Sequence, residues 1–343
     1  MIGALSASIV DETGRNRFKL TSMGYDALLY SFRNRVERPA AARCPSENLA
    51  GAISIVTARL CLGGYPKMNS GFFDYFSWRL LRDLAIIYLI LVGLAFFFQR
   101  RLQYFPDSSP VPLPQGERFR NLQEVQLINA DGLRLWAWHW PGNQAAATLL
   151  VLHGNAGHRG HRLGWIDDLH DLGCGIFILD YRGYGGSAGA PTEEGLYQDA
   201  EAAANWLKRE GKRQLVYTGE SMGCGVAVEL ATRQPAAGLI LQSGFSSAVD
   251  VAGKAYPYLP VRLLMKDKYD STAKMSKIFC PVLVIHGERD SLIPIRLGRA
   301  LYEAARDPKE WLAVSGAGHN DVPEVGGREY LRKIDEFLRR IHN

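Results

Sequence analysis

From Ala147 onward the sequence alternates short apolar runs with stretches of helical period, and few folds accept that pattern. The runs are Ala147–Leu152, Gly175–Leu179, Gln214–Thr218, Gly238–Leu241, Val282–His286 and Trp311–Val314. Short apolar strands set between helices predict a mostly parallel sheet covered on both faces. The helical stretches lie around Leu163–Leu172, over Glu193–Glu210, from Cys224 to Ala231 and near Leu297–Ala305. In the second, Leu196, Ala200, Ala203, Ala204 and Leu207 share one face. A C-terminal helix carries Tyr330, Leu331, Ile334, Phe337, Leu338 and Ile341 at spacings of one, three and four. Ahead of this region, Glu124–Ile128 and Leu133–Trp140 read as two strands joined by a turn at Asn129-Ala130-Asp131-Gly132. The α/β domain therefore spans 117–343.

One strand-to-helix junction departs from ordinary turn chemistry. Gly219-Glu220-Ser221-Met222-Gly223 fits G-x-S-x-G, between strand formers and the next helix. A serine on so sharp a turn takes a strained backbone, and glycines two residues to either side remove the Cβ atoms that would collide. The turn lifts the hydroxyl clear of the sheet. It also aims the Met222 N–H and the positive end of the helix at a reacting oxygen.

Other strands end in residues with complementary chemistry. Leu152 runs into His153-Gly154-Asn155-Ala156-Gly157, whose glycines let backbone N–H groups face an oxyanion and put the Asn155 N–H opposite that of Met222. His286 runs into Gly287-Glu288-Arg289-Asp290, and Val314 into Ser315-Gly316-Ala317-Gly318-His319-Asn320-Asp321. A serine needs a base to lose its proton, and a histidine base needs an acid to fix its tautomer. The order Ser221, Asp290, His319, each just past a strand, is that of one hydrolase fold. Glu288 is the alternative acid, nearer its strand end. Asp180, Tyr181 and Arg182 read as structural turn residues, and Glu220, Asn320 and Asp321 as local hydrogen-bonding groups.

The N-terminal third is of another character. Residues 1–67 show no sustained period and read as disordered, or as an upstream extension with Met68 as the natural start. The segment 68–105 contains Leu84–Phe98, fifteen residues without a charge, bracketed by Arg79, Arg82 and Asp83 and by Arg100 and Arg101. At about 1.5 Å per residue it spans the ~30 Å hydrocarbon core only with flanking residues, for which Trp78, Tyr104 and Phe105 supply an interfacial belt. It has no polar face, and Gln99-Arg100-Arg101 follows in place of a small-residue cleavage site. It reads as a single-pass N-terminal membrane anchor, with its orientation open because arginines stand on both sides. A proline-rich linker at 106–116, with four prolines in Pro106–Pro114, marks the domain boundary. It is expected to uncouple the anchor, so that a chain beginning near Pro114 stays soluble and hydrolyses a small ester.

Charge and cysteine usage narrow the partners. The net charge of +5 comes from residues 1–82, with 11 Lys/Arg against 6 Asp/Glu; the remainder holds 29 of each. A neutral main domain offers no basic stripe for nucleic acid. The five cysteines form no C-x-x-C pair, and no disulfide is needed. His153, His158, His161 and His170 have no accompanying H-E-x-x-H or carboxylate ligand set. They read as surface or capping residues, with His153 in the oxyanion turn, and no metal or cofactor is expected.

Six stretches together carry a resemblance: H-G-N-A-G (153–157), D-Y-R-G-Y-G-G-S (180–187), P-T-E-E-G-L-Y-Q-D-A (191–200), G-E-S-M-G (219–223), H-G-E-R-D (286–290) and G-A-G-H-N-D (316–321). Over about 84–341 the chain resembles the α/β-hydrolase superfamily, in its Bem46-like branch near the α/β-hydrolase domain-containing 13 and 17 types. The resemblance implies the α/β-hydrolase fold, Ser221 as nucleophile, Asp290 as acid, His319 as base, and an oxyanion hole from Asn155 and Met222. Met222 stands where leucine is frequent, and Ser243-Gly244-Phe245-Ser246-Ser247 lacks the wording often seen after that strand. The expected function is a membrane-anchored serine hydrolase of acyl esters or thioesters, lipid or lipidated substrates included, with a short lid at 245–280. A peptidase of the prolyl-oligopeptidase type and a non-catalytic membrane scaffold are the alternatives.

Overall fold

The computed structural model describes residues 70–143, 147–212 and 214–342, with side chains from Ser77. The expectations for 1–67 and for Met68 lie outside the described residues.

Eight strands form one sheet: β1 Gln123–Ile128, β2 Arg134–Trp140, β3 Thr148–Leu152, β4 Gly175–Leu179, β5 Leu215–Glu220, β6 Gly238–Gln242, β7 Val282–Gly287 and β8 Lys309–Val314. Their spatial order is β8-β7-β6-β5-β3-β4-β2-β1. Only β2 runs against its neighbours, antiparallel to β1 and β4; every other pairing is parallel. The short runs are strands because both of their faces are covered, β3, β4, β6 and β7 being buried along their whole length.

The helices are α1 Ser70–Gln103, α2 Leu163–His170, α3 Glu193–Arg209, α4 Met222–Arg233, α5 Ala248–Ala255, α6 Val261–Leu264, α7 Thr272–Met275, α8 Ile295–Ala304 and α9 Val322–His342. Two apolar layers sandwich the sheet, and alternation along β3 shows how. Leu150 and Leu152 pack with Leu196, Val226 and Leu301 of α3, α4 and α8. Leu149 and Val151 pack with Ile166, Tyr330 and Phe337 of α2 and α9. The α3 helix starts where Thr192 Oγ1 accepts the Gly195 N–H, and acidic residues open it while Lys208 and Arg209 close it. Within α9, Gly327 breaks the helical backbone at φ 47°.

Register places the site. Leu152 of β3 pairs with Gly219 of β5, Glu220 with Gln242 of β6, and His286 of β7 with Ala313 of β8. The carboxyl ends of these strands therefore form one rim. Beside β3 the strand order reverses, which opens a crevice at that rim.

Among the described residues, one helix is long and apolar enough to cross a membrane, Ser77–Gln103 within α1, with a mean hydropathy of 2.2 and no burial in its apolar window. The segment after it differs from expectation. It does not hang free: Tyr104 and Val111 are buried in the two core layers. Phe105–Pro106 pairs in parallel with Ala156–Gly157, and Gly185 N–H donates to the Asp107 carbonyl at 2.8 Å. Prolines stiffen the segment but leave the N–H groups of Phe105 and Asp107 available, and those make the attachment.

Candidate active site

The turn after β5 has the strain that G-x-S-x-G implies. Ser221 sits at φ 54°, ψ −116° and is 7% exposed. A Cβ at Gly219 would lie 2.6 Å from Cys224 backbone, and one at Gly223 would lie 1.9 Å from the Leu152 carbonyl oxygen. Ser221 is therefore held tightly between β5 and the first turn of α4. Its own N–H donates to the Gln242 carbonyl at 2.8 Å, and its carbonyl accepts from Cys224 N–H at 3.0 Å.

Two further strand ends meet it. His319 Nε2 lies 3.0 Å from Ser221 Oγ, and His319 Nδ1 lies 2.7 Å from Asp290 Oδ2. A carboxylate accepts only, so Nδ1 donates and Nε2 is left with a lone pair facing the hydroxyl. Asp290 is buried, which alone would raise its pKa. Hydrogen bonds from His286 and His319, the His319 charge and the Ile293 N–H at 2.7 Å outweigh burial and hold it well below the usual carboxylate range. Glu288 is exposed and its N–H is bonded to the Val314 carbonyl, so the structure brings Asp290, not Glu288, to His319.

The loop after β3 lies beside the serine: a Cβ on Gly154 would stand 3.4 Å from Ser221 Cβ. Asn155 follows Gly154 in this loop, and Met222 follows Ser221 at the start of α4. The loop is clamped from two sides. On one, Glu220 accepts the Gly154 N–H at 3.2 Å and pairs with Arg162 at 2.9 Å, while Arg162 Nη1 donates to the Ala156 carbonyl at 2.7 Å. Burial would raise the Glu220 pKa, but the Arg162 charge and hydrogen bonds lower it. On the other, Asn155 Nδ2 donates to the Gln103 carbonyl at 3.0 Å, and the Asn155 carbonyl accepts from Phe105 N–H and Tyr184 Oη, both at 2.9 Å. Asp107 N–H adds a bond to the Gly157 carbonyl at 3.2 Å.

Sequence reasoning treated Glu220 as a local hydrogen-bonding group and missed its partner Arg162. It also missed the Gln103–Asp107 strap and the contact of His286 with Asp290. No residue type at these positions announces a role; the contacts arise from chain segments that only folding brings together. Asp180 and Arg182 are structural, as read: Asp180 binds Arg159, and Arg182 binds Asp199 and Asp131.

Asp107, His158 and His161 gather donor atoms within 4.8 Å of one another. The donors do not suit a metal. His158 Nδ1 accepts the Gly160 N–H and His161 Nδ1 accepts the His158 N–H, so each neutral ring carries its proton on Nε2, the atom that would have to ligate. The two rings cap the short helix Arg159–Arg162. His153 is buried against Tyr181 and Tyr184 at the base of the loop after β3, and His170 stacks on Trp140 at 3.9 Å.

A family profile described as serine aminopeptidase, S33, matches residues 143–266. An uncharacterized protein of Mycobacterium tuberculosis is 40% identical over 273 residues, covering 76% of this chain and 95% of that one. The human α/β hydrolase domain-containing protein 17B is 40% identical over 204 residues, 57% of this chain and 67% of its own. An α/β hydrolase domain-containing protein of Caenorhabditis elegans is 37% identical over 263 residues, 73% and 77% of the two chains. Among solved structures, an esterase of Pyrococcus furiosus shares the fold with a TM-score of 0.60 at 21% identity, over 70% of this chain and 98% of that one.

Proposed function

Since this chain belongs to the α/β-hydrolase family, and within it to the domain-containing 17 type, we propose that it is a membrane-anchored serine hydrolase cleaving acyl esters or thioesters. The observation that carries the reading is the chain of contacts at the rim, Ser221 Oγ to His319 Nε2 at 3.0 Å and His319 Nδ1 to Asp290 Oδ2 at 2.7 Å.

In this reading His319 takes the Ser221 proton as Oγ attacks the carbonyl carbon. The oxyanion forms against the N–H groups of Asn155 and Met222, with the α4 N-terminus behind them. His319 returns the proton to the leaving alcohol or thiol, and an acyl-Ser221 remains. Water, deprotonated by His319, then releases the acid and restores the hydroxyl. Asp290 stays ionised throughout and stabilises the imidazolium. The exposed apolar surface of α1 supports an anchor, and an anchor favours lipid or lipidated substrates by raising their local concentration.

Labelling by a fluorophosphonate probe, lost in Ser221→Ala, tests the nucleophile; unchanged labelling of that variant would refute it. The name of the matching profile favours a second reading, an aminopeptidase. Parallel turnover of p-nitrophenyl esters, acyl-thioesters, lysophospholipids and aminoacyl anilides separates the two, and preference for the anilides would overturn the ester reading.

A further inference from the structure

We propose that the segment Tyr256–Leu264, between α5 and the end of α6, is immersed in the lipid bilayer beside α1 as a second membrane contact. The proposal rests on the reading of α1 as a membrane anchor and adds a part of the catalytic domain to it.

The argument starts from where this segment touches α1. Gln99 Nε2 donates to the Leu264 carbonyl at 3.1 Å, and Gln99 Oε1 accepts the Lys266 N–H at 2.7 Å. Arg100 pairs with Asp267 at 2.8 Å, and Lys266 lies over the Phe96 ring at 4.5 Å. These contacts mark one level, at the charged end of the helix. A second level is set by Tyr88, whose hydroxyl donates to the Tyr258 carbonyl at 3.0 Å. Tyr88 and Gln99 are eleven residues apart, so the two levels are separated by roughly 16 Å along the helix.

That spacing forces a choice. The uncharged run Leu84–Phe98 is already short for a ~30 Å core. If the helix left the bilayer before reaching the Tyr258 level, too little of it would remain inside to span. A spanning α1 must therefore carry the Tyr258 end of this segment into the apolar layer with it, with Leu264 at the headgroup level.

The segment has the chemistry for that environment. Tyr258 is 65% exposed and Leu263 85% exposed, and Leu292 beside this end of the domain is exposed as well. Pro257 and Pro260 have no N–H to satisfy. The N–H groups of Tyr256, Leu259, Val261, Leu263, Leu264 and Met265 all donate to carbonyls within 252–261. The Tyr258 and Leu264 carbonyls are capped by α1 side chains. Non-helical backbone is tolerated at membrane depth where its polar groups are satisfied, and in this segment the Tyr258 N–H is the exception, with no acceptor among the described residues. Lys254, Arg262 and Arg296 line a cleft of about 330 Å³ with Asp250, and such cations suit phosphate headgroups.

The test uses the full chain in phosphatidylcholine vesicles, with an environment-sensitive fluorescent amino acid introduced singly at Tyr258, Leu263, Leu91 or Phe279. Spin-labelled lipids then quench from known depths. Leu91 reports α1, and Phe279, exposed and apolar at the far end of β7, reports a residue outside the membrane. Emission should be lost at Tyr258, Leu263 and Leu91 and kept at Phe279. Tyr258 should respond most to labels deep in the acyl chain and Leu263 to shallow ones. Quenching at Leu91 with none at Tyr258 and Leu263 overturns the proposal and leaves the anchor standing; no quenching at Leu91 overturns the anchor reading itself. Concentration-dependent shielding at Leu263 without lipid quenching assigns the surface to a second copy of the chain and also refutes the proposal.

Discussion

Removing the strap without removing the domain isolates the tie between α1 and the Asn155 loop proposed to bind the oxyanion. Two shortened chains do this, one beginning at Gln99 and one at Pro114. The first keeps Gln103, Phe105 and Asp107, whose bonds to Asn155 and Gly157 hold the loop, together with the buried Tyr104. The second loses all of them. At about 1 kcal/mol net per hydrogen bond, the Gln103, Phe105 and Asp107 ties amount to roughly 3 kcal/mol of restraint. If that restraint serves the oriented Asn155 N–H, its loss slows the chemical step by roughly 10². That is within the ~10²–10³ attributed to deleting one oxyanion donor outright. The assay is hydrolysis of a water-soluble p-nitrophenyl ester, with circular dichroism to establish that both chains are folded. The chain from Gln99 should stay within a few-fold of full length, and the chain from Pro114 should lose kcat with little change in KM. In the full chain, Asn155→Ala removes only the side-chain bond to Gln103 and should lower kcat by roughly 5- to 10-fold. Equal rates from the two shortened chains, both folded, would refute the reasoning and restore the linker to a mere tether.

Three other perturbations have defined outcomes. Ser221→Ala, His319→Ala and Asp290→Asn should each remove most esterase activity, with double variants costing little more than the worst single, while Glu288→Gln keeps most of it; additive losses would mean the residues do not act as a unit. The pKa values of Asp290 and Glu220 are depressed on folding, so their stabilisation is present above the unfolded carboxylate range and lost as pH falls through it toward the folded values. Urea melts should therefore show wild type exceeding Asp290→Asn near neutral pH, with the gap shrinking below about pH 4; a gap that widens on acidification has the wrong sign. Gly223→Ala puts a methyl 1.9 Å from the Leu152 carbonyl oxygen, so thermal melts should show a large destabilisation, against no loss or a small gain for Gly164→Ala, an exposed helical position whose Cβ meets nothing within 4 Å.

The parts of this molecule legible in the sequence are those in which a local pattern has one physical solution. Val282–Gly287 contains only apolar residues until His286, and such a run is buried wherever it lies, so its place in a covered sheet follows. Gly219 and Gly223 around Ser221 are equally legible, because the clash each avoids is with backbone a few residues away or with the neighbouring strand. Element ends moved by a residue or two, as at β8, which begins at Lys309 and not Trp311, because its register against Val282 is set by β7. The approach of Asp290, and not Glu288, to His319 was also readable, since a residue must clear the strand end before it can turn toward a neighbouring loop.

What escaped the sequence depends on which distant segments meet. Pro106–Pro114 carries the composition of a linker, and composition says nothing about the N–H groups of Phe105 and Asp107 that bind the loop after β3. Arg162 and Glu220 are separated by 58 residues and have no motif between them, yet the pair fixes Gly154 and Ala156 on either side of Asn155. The loop is thus held by a partly buried ion pair on one side and by the end of α1 on the other. Asn155 answers to both. A force or displacement along α1 has a direct covalent path to Gln103 and Phe105, and from there a single hydrogen bond to Asn155. The same α1 contacts Tyr258 and Leu264, so this helix touches both the loop beside Ser221 and the segment that follows α5. In this fold the end of α1 is tied to the loop that carries Asn155, so the helix and the loop do not move independently.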